Sequence, residues 1–258
     1  MIIHVKASMG RYDNLLFRIG TRLKRLDNRK KFDPKAIPVL INNFNRLHCL
    51  QQQLEWLKAV GLRNIFIIDN ASTYRPLLEF YRKTPLTVFQ LDRNVGFEAL
   101  WKTIIFQRFK RSYYIYTDPD ILPDPACGID AIARFYHLLQ AYPQVQKVGF
   151  GLRLNDLPAH YPLKEKVLAW EERFWQKEIE KDVYEAPIDT TFALYRPGAR
   201  SGSELPALRT GGKLTARHTT WYDDPARLTA EDIFYQAQAG RSASWTAELV
   251  GKTRNIHY

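Results

Sequence analysis

The sequence predicts an α/β fold: one domain with a mostly parallel central sheet flanked by helices, behind a basic N-terminal helical appendage. Three observations carry this expectation. Short apolar runs without polar alternation recur between residues 37 and 117, as in strands buried on both faces. Helical spacing fills the stretches between them. Polar residues follow each run in turn, and the carboxyl ends of parallel strands are where such sheets bind ligands.

The elements follow in order. The appendage is set at residues 1–36 and the domain at 37–258, divided into halves 37–125 and 126–258. Between residues 11 and 35 the chain carries Arg11, Arg18, Arg22, Lys24, Arg25, Arg29, Lys30, Lys31 and Lys35 against Asp13, Asp27 and Asp33. Leu15, Leu16, Ile19, Leu23 and Leu26 are interleaved at helical spacing. A basic amphipathic helix of this kind suits an anionic membrane surface, and equally a surface helix packed on the domain. Residues 37–41 read as a first strand, then Asn45 as N-cap of a helix to residue 60, stopped by Gly61. Residues 65–68, 86–91 and 113–117 read as further strands. Residues 76–83 and 97–109 read as helices. Beyond Gly128 the spacing gives a helix to about 142, a strand at 148–152 and a charged helix at 163–180. An extended stretch at 188–195 and a Gly/Ser/Pro-rich loop at 198–212 follow, and from Thr229 only weak helical character.

The whole chain narrows the function classes. Its 258 residues suffice for one α/β domain with a full core. No apolar run approaches the roughly 20 residues needed to cross a bilayer. The opening residues do not form a signal peptide. Cys49 and Cys127 match neither a disulfide framework nor a metal spacing. A cytoplasmic location is expected, with the inner face of the plasma membrane as a docking surface if the basic segment binds lipid. The formal charge of +11 favours anionic partners. No nucleic-acid-binding motif accompanies it, so nucleic acid is not an expected partner.

The chemistry centres on Thr117-Asp118-Pro119-Asp120. Two carboxylates at i and i+2 leaving a strand project to one side, and Pro119 ends the ladder because it has no N–H. Such a pair suits Mn²⁺ or Mg²⁺ bridging a diphosphate. The polar strand ends Asn42, Asn43 and Asn45, then Asp69 and Asn70, then Asp92, Arg93 and Asn94, would gather along the same edge.

Residues 37–125 resemble the GT-A half of bacterial family 2 glycosyltransferases. The resemblance rests on Pro38-Val39-Leu40-Ile41-Asn42-Asn43-Phe44-Asn45-Arg46, Ile67-Ile68-Asp69-Asn70-Ala71-Ser72, Arg93-Asn94-Val95-Gly96-Phe97 and Asp118-Pro119-Asp120. It implies a GT-A (Rossmann-like) sheet, a nucleotide-sugar donor and a saccharide or lipid-linked saccharide acceptor, in bacterial surface polysaccharide synthesis. It also implies Asp69 on the nucleotide base, with Asn43 and Asn94 nearby and Asp118 at the donor. A carboxylate can accept the imide proton of uracil, while Asp-Asn-Ala-Ser is also good turn chemistry. For an inverting transfer the expected base is Asp189, with Glu185, Asp223 and Asp224 as rivals, since the family's usual Glu-Asp pair is missing. His218 is the further metal ligand the resemblance suggests; a lone histidine can also be structural. A nucleotidyltransferase is the enzymatic alternative, but residues 42–46 lack the glycine-rich loop it would need.

Overall fold

The computed structural model describes residues 1–7, 32–189, 191–202, 204–238 and 249. The basic amphipathic segment lies mostly at 8–31, outside the described residues, and so does its membrane-facing reading. Among the described residues no helix is long and apolar enough to cross a membrane.

Five parallel strands form half of a continuous sheet: β1 (Ile2–Val5), β2 (Val39–Asn43), β3 (Ile65–Asp69), β4 (Thr87–Leu91) and β5 (Tyr114–Thr117). Their spatial order is β1-β4-β3-β2-β5, and every pairing is parallel. The sheet therefore takes in residues 2–5, which the sequence reading assigns to the appendage. Every residue of β2, β3 and β5 is buried, as unbroken apolar runs require. Val39 and Ile41 pack on one face of the sheet and Leu40 on the other, following the two-residue period of a strand.

The chain runs outward from β2 through α1 (His48–Ala59), β3, α2 (Arg75–Lys83) and β4, then returns to lay β5 on the other side of β2. Strand order thus reverses between β2 and β5, and a crevice opens there at their carboxyl ends. β6 (Ile121–Pro123) and β7 (Lys147–Leu152) come next, with α3 (Phe106–Phe109) before β5 and α4 (Asp130–Ala141) before β7. β8 (Glu178–Glu180), β9 (Val183–Glu185), β10 (Ala193–Tyr195) and β11 (Ala207–His218) complete the sheet. β10 is inserted antiparallel between β5 and β7. β11 runs parallel to β7, and its far end pairs antiparallel with β6. The close approach of β10 explains Gly149: a Cβ there would lie 2.4 Å from the Phe192 carbonyl oxygen.

Several expectations are corrected. Asn45 does not cap α1; its φ is 54°, and its Oδ1 accepts from Thr73 N at 2.7 Å and Tyr74 N at 3.0 Å, at the entrance to α2. Gly61 does stop α1, at φ 82°. The segment 97–109 is mostly turns, with only α3 helical: i+3 bonds from Trp101 N to Glu98 O and Gln107 N to Ile104 O are mixed with a single i+4 bond from Lys102 N to Glu98 O, which no further turn continues before α3. The charged helix ends early: α5 (Lys164–Glu172) passes into a 3₁₀ turn at Arg173–Trp175, and β8 follows. The loop expected at 198–212 overlaps β11, whose Gly211 and Gly212 sit against Tyr184 and Asp182 at a register shift. The tail forms α6 (Ala230–Ala237), started by a capping box between Thr229 and Asp232.

Cys49 and Cys127 are both buried, and burial pushes their thiols up to about 12 and about 11. The thiolate is the reactive form. Both cysteines should resist iodoacetamide at pH 8 in the native protein and label fully in urea; rapid native labelling would contradict this packing.

Candidate functional site

The crevice between β2 and β5 receives the Thr117-Asp118-Pro119-Asp120 turn. Asp118 and Asp120 are both partly exposed, whereas Pro119 is buried and turns the chain from β5 into β6. A residue that sequence reasoning missed holds this turn from beneath. Gln53, fully buried on α1, donates through Nε2 to Asp118 O at 2.8 Å, Ile121 O at 2.6 Å and Thr117 Oγ1 at 3.3 Å. The available signal was a polar residue on the apolar face formed by Cys49, Leu50, Trp56 and Leu57.

β6 and β11 bring a second part of the site from almost a hundred residues away. Their register pairs Ile121 with His218, and Thr219 N donates to Asp120 O at 2.8 Å. His218 Nε2 then lies 3.8 Å from Asp120 Oδ2. That is too long for a hydrogen bond, and about 0.8 Å more than the roughly 3.0 Å between neighbouring ligands of an octahedral ion with bonds of about 2.1 Å, so a small side-chain rotation would bring both onto one cation. Thr220 Oγ1 lies 2.8 Å from His218 Nδ1, and Trp221 stacks on the imidazole at 4.7 Å. With Nδ1 donating to Thr220, the Nε2 lone pair is directed at Asp120, the usual way a second residue orients a ligating histidine. Among the described residues no three His, Cys, Asp or Glu side chains converge to form a complete cage. Two protein ligands and open positions fit an ion that takes its remaining oxygens from a phosphate and water.

Asp189 precedes β10, whose pairing with β5 directs the approaching chain past Asp118. Asp118 and Asp189 both act on the buried Tyr195, and Tyr195 Oη donates to Asp189 O at 3.4 Å. Asp189 is exposed to solvent. The protein atoms packed around it raise the carboxyl above the ordinary range, a shift that its exposure moderates and that Lys147 and Arg209 oppose. Asp223, also open to solvent, feels Asp232, Arg46, Asp120 and His218, so it belongs to the other side of the same crevice.

The remaining expected residues divide. Asn94 is exposed, and its Oδ1 accepts from Gly96 N at 2.8 Å. Asn70 fastens this loop to β3, with Oδ1 accepting from Val95 N and Nδ2 donating to Gly96 O, both at 2.8 Å. Asp69 and Asn43 expose no surface. Asp69 accepts from Ser72 N at 3.3 Å and Tyr81 Oη at 3.4 Å, and Asn43 Nδ2 donates to the same Tyr81 Oη at 2.8 Å. Burial raises the Asp69 carboxyl, with these bonds opposing the shift. In this structure Asp69 therefore serves the turn after β3.

No protein-family model matches the sequence, and no curated protein matches it. Solved structures similar to it include a mannosyltransferase from Pyrobaculum calidifontis in complex with GDP-Man and Mn²⁺, at TM-score 0.47 and 15% identity, covering 86% of this chain and 67% of that one. Glucosyl-3-phosphoglycerate synthase from Mycobacterium tuberculosis with phosphoglyceric acid gives TM-score 0.39 and 13% identity, covering 63% and 57%. A GalNAc-T structure with UDP, GalNAc and Mn²⁺ gives 0.43 and 14%, covering 67% and 42%. The chain thus spans less than two thirds of the length of the second and third.

The Gln53 contacts generate a prediction. Gln53→Leu keeps the volume but leaves the buried Ile121 carbonyl without this donor, at about 1–3 kcal/mol, while the Asp118 carbonyl keeps Thr117 Oγ1 at 2.9 Å. Urea unfolding should show a loss of about 1–3 kcal/mol; a stability within about 0.5 kcal/mol of wild type would mean that Gln53 does not hold the turn.

Proposed function

We propose that this protein is a metal-dependent glycosyltransferase that moves a hexosyl group from a nucleotide-diphosphate sugar, with uracil the preferred base, to a saccharide or lipid-linked saccharide acceptor, with inversion. The observation that carries the reading is the meeting of Asp120 and His218, 3.8 Å apart, beside Asp118 at the strand-order reversal. An incomplete ligand pair at the carboxyl edge of a parallel sheet suits an ion shared with a diphosphate. The resemblance of residues 37–125 to family 2 glycosyltransferases points the same way.

On this reading Asp118, Asp120 and His218 would hold Mn²⁺ or Mg²⁺, Thr220 fixes the imidazole, and Asp118 and Asn94 serve the donor. Asp69 and Asn43 serve the donor indirectly, by shaping the turn after β3. When bound, the ion supplies positive charge against the departing diphosphate. Asp189 accepts the proton of the attacking acceptor hydroxyl. Its raised carboxyl makes it a stronger base than a freely hydrated aspartate, and its action is lost as pH falls through that elevated pKa.

Two experiments separate binding from chemistry. Asp120→Asn, which removes charge at nearly constant volume, should abolish Mn²⁺-dependent binding of nucleotide sugars in a thermal-shift screen while preserving the fold. Full transfer by metal-free wild type would overturn the metal assignment. Asp189→Asn should retain donor affinity and lower turnover by about 10²–10⁴-fold. An active Asp189→Asn protein beside an inactive Asp223→Asn protein would move the base to Asp223.

A further inference from the structure

α6 packs two rings on the neighbouring loops, Phe234 at 5.1 Å from Tyr74 and Tyr235 at 6.4 Å from Phe44, and its other contacts there are polar. Glu231 accepts from His48 N, the first amide of α1, at 3.1 and 3.2 Å. α1 has no side-chain cap of its own. One residue on, Asp232 pairs with Arg46 at 2.9 Å. Arg46 is 5% exposed, lies 3.8 Å from the Tyr235 ring centroid, and its Nε has no partner. Gln238 Oε1 accepts from Asn45 Nδ2 at 3.0 Å. Arg46, Thr220, Asp223, Asp232 and Gln236 line a pocket between α6 and the crevice.

A helix N-terminus and a buried guanidinium are two strong oxyanion-binding devices in proteins. Here they stand side by side, and each is filled by a carboxylate from one short helix. An eight-residue helix is marginal alone, and in α6 only Glu231 and Tyr235 are buried. Beside the ring contacts of Phe234 and Tyr235, its attachment rests on charge contacts that a stronger oxyanion can replace. The partnerless Nε adds a donor that Asp232 leaves unused.

We propose that Arg46 and the first-turn amides of α1 form an oxyanion subsite for a phosphate-bearing ligand, and that α6 is a displaceable strap whose Glu231 and Asp232 fill it until that ligand arrives. The identification of the ligand with the donor diphosphate rests on the glycosyltransferase reading; the subsite and the strap do not. Arg46 would then meet phosphate oxygens on the α1 side while Asp120 and His218 face them from the β5–β11 side.

The probe is inorganic pyrophosphate without metal, which carries neither sugar nor base. In wild type, pyrophosphate should speed hydrogen exchange across 230–237 while exchange in β2 and β3 stays constant. Glu231→Gln with Asp232→Asn should bind pyrophosphate about tenfold more tightly by calorimetry, as expected if the strap is closed about nine-tenths of the time. Arg46→Gln with Asp232→Asn, which removes both members of the buried pair together, should lose the binding. Unchanged exchange in α6 at saturating pyrophosphate would overturn the strap. Equal binding by the Arg46→Gln/Asp232→Asn protein and the Glu231→Gln/Asp232→Asn protein would overturn the subsite. Neither result depends on sugar transfer, so failure of transfer with both effects present would reject only the glycosyltransferase reading.

Discussion

The antiparallel clasp between β6 and the end of β11 is the constraint on which the rest of the site depends. Asp120 leaves β5 near the middle of the sequence, and His218 arrives almost a hundred residues later. Thr219 N and Oγ1 both donate to Asp120 O, at 2.8 and 3.2 Å, so the two side chains are fixed in relation by backbone geometry. A one-residue slip would turn His218 to the opposite face of the ribbon. Register is held from outside as well. Asp156 accepts from Arg217 at 2.5 Å and from Tyr222 Oη at 2.5 Å, while Arg153 pairs with Asp124 at 2.5 Å. These partly exposed ion pairs contribute modestly to stability; their consequence is orientation of the strand that carries His218.

Beneath the clasp, the buried polar groups gather at the strand ends. Asn42, Asn43, Asn45, Arg46, Gln53, Asp69, Asn70, Ser72 and Thr117 are all buried. Burying such groups costs stability unless they are paired. Most are paired to backbone: Gln53 to the turn after β5, Asn70 to residues 95 and 96, Asn45 to residues 73 and 74. A sheet edge that merely ended in solvent would not need this internal scaffold. It braces the crevice from within, and it leaves Asp118, Asp120, Asp189 and Asp223 as carboxylates with access to what enters.

The parallel half was legible because its signal is local. Runs such as Ile65-Phe66-Ile67-Ile68 must be buried strands wherever they fall, and the polar residues after them then share an edge. The second half was less legible because its strands are made by pairing rather than by pattern. β11 contains Gly211 and Gly212 and reads as a loop; it is a strand because β7, β9 and β6 all bond to it. The helical spacing of 97–109 was real, but it yields turns with α3 at their end, with Thr103 Oγ1 bonding back to Ala99 O and Leu100 O. Asn45 had the residue type of a cap and does accept from the entrance to a helix, although to α2 rather than α1. No local pattern announces a cap supplied from Glu231. For the site, Asp118 and Asp120 were readable from spacing, whereas the nearness of His218 is a property of the clasp alone. Gln53 was visible only as a polar residue on an apolar helix face, and Arg46 only as the last residue of the polar run after β2.

Charge gives the last link between this scaffold and its ligand. The chain carries +11 overall, yet Asp118, Asp120, Asp189, Asp223, Glu231 and Asp232 line or border one crevice. A positive protein draws phosphate-bearing molecules from a distance, where only net charge is felt. Within the Debye length, about 8 Å at physiological salt, the local carboxylates dominate and repel the same molecules. The two tendencies are reconciled if a cation enters with the ligand and if α6 takes its own carboxylates away. On the proposed reading each step lowers negative charge around the phosphates, and together they would leave Arg46, His48 N and the ion facing the oxyanions. The acidic crevice would then act as a filter. A bare anion meets only the Arg46 end of the crevice, while an anion carrying its own divalent cation also satisfies Asp118 and Asp120 and is held more tightly.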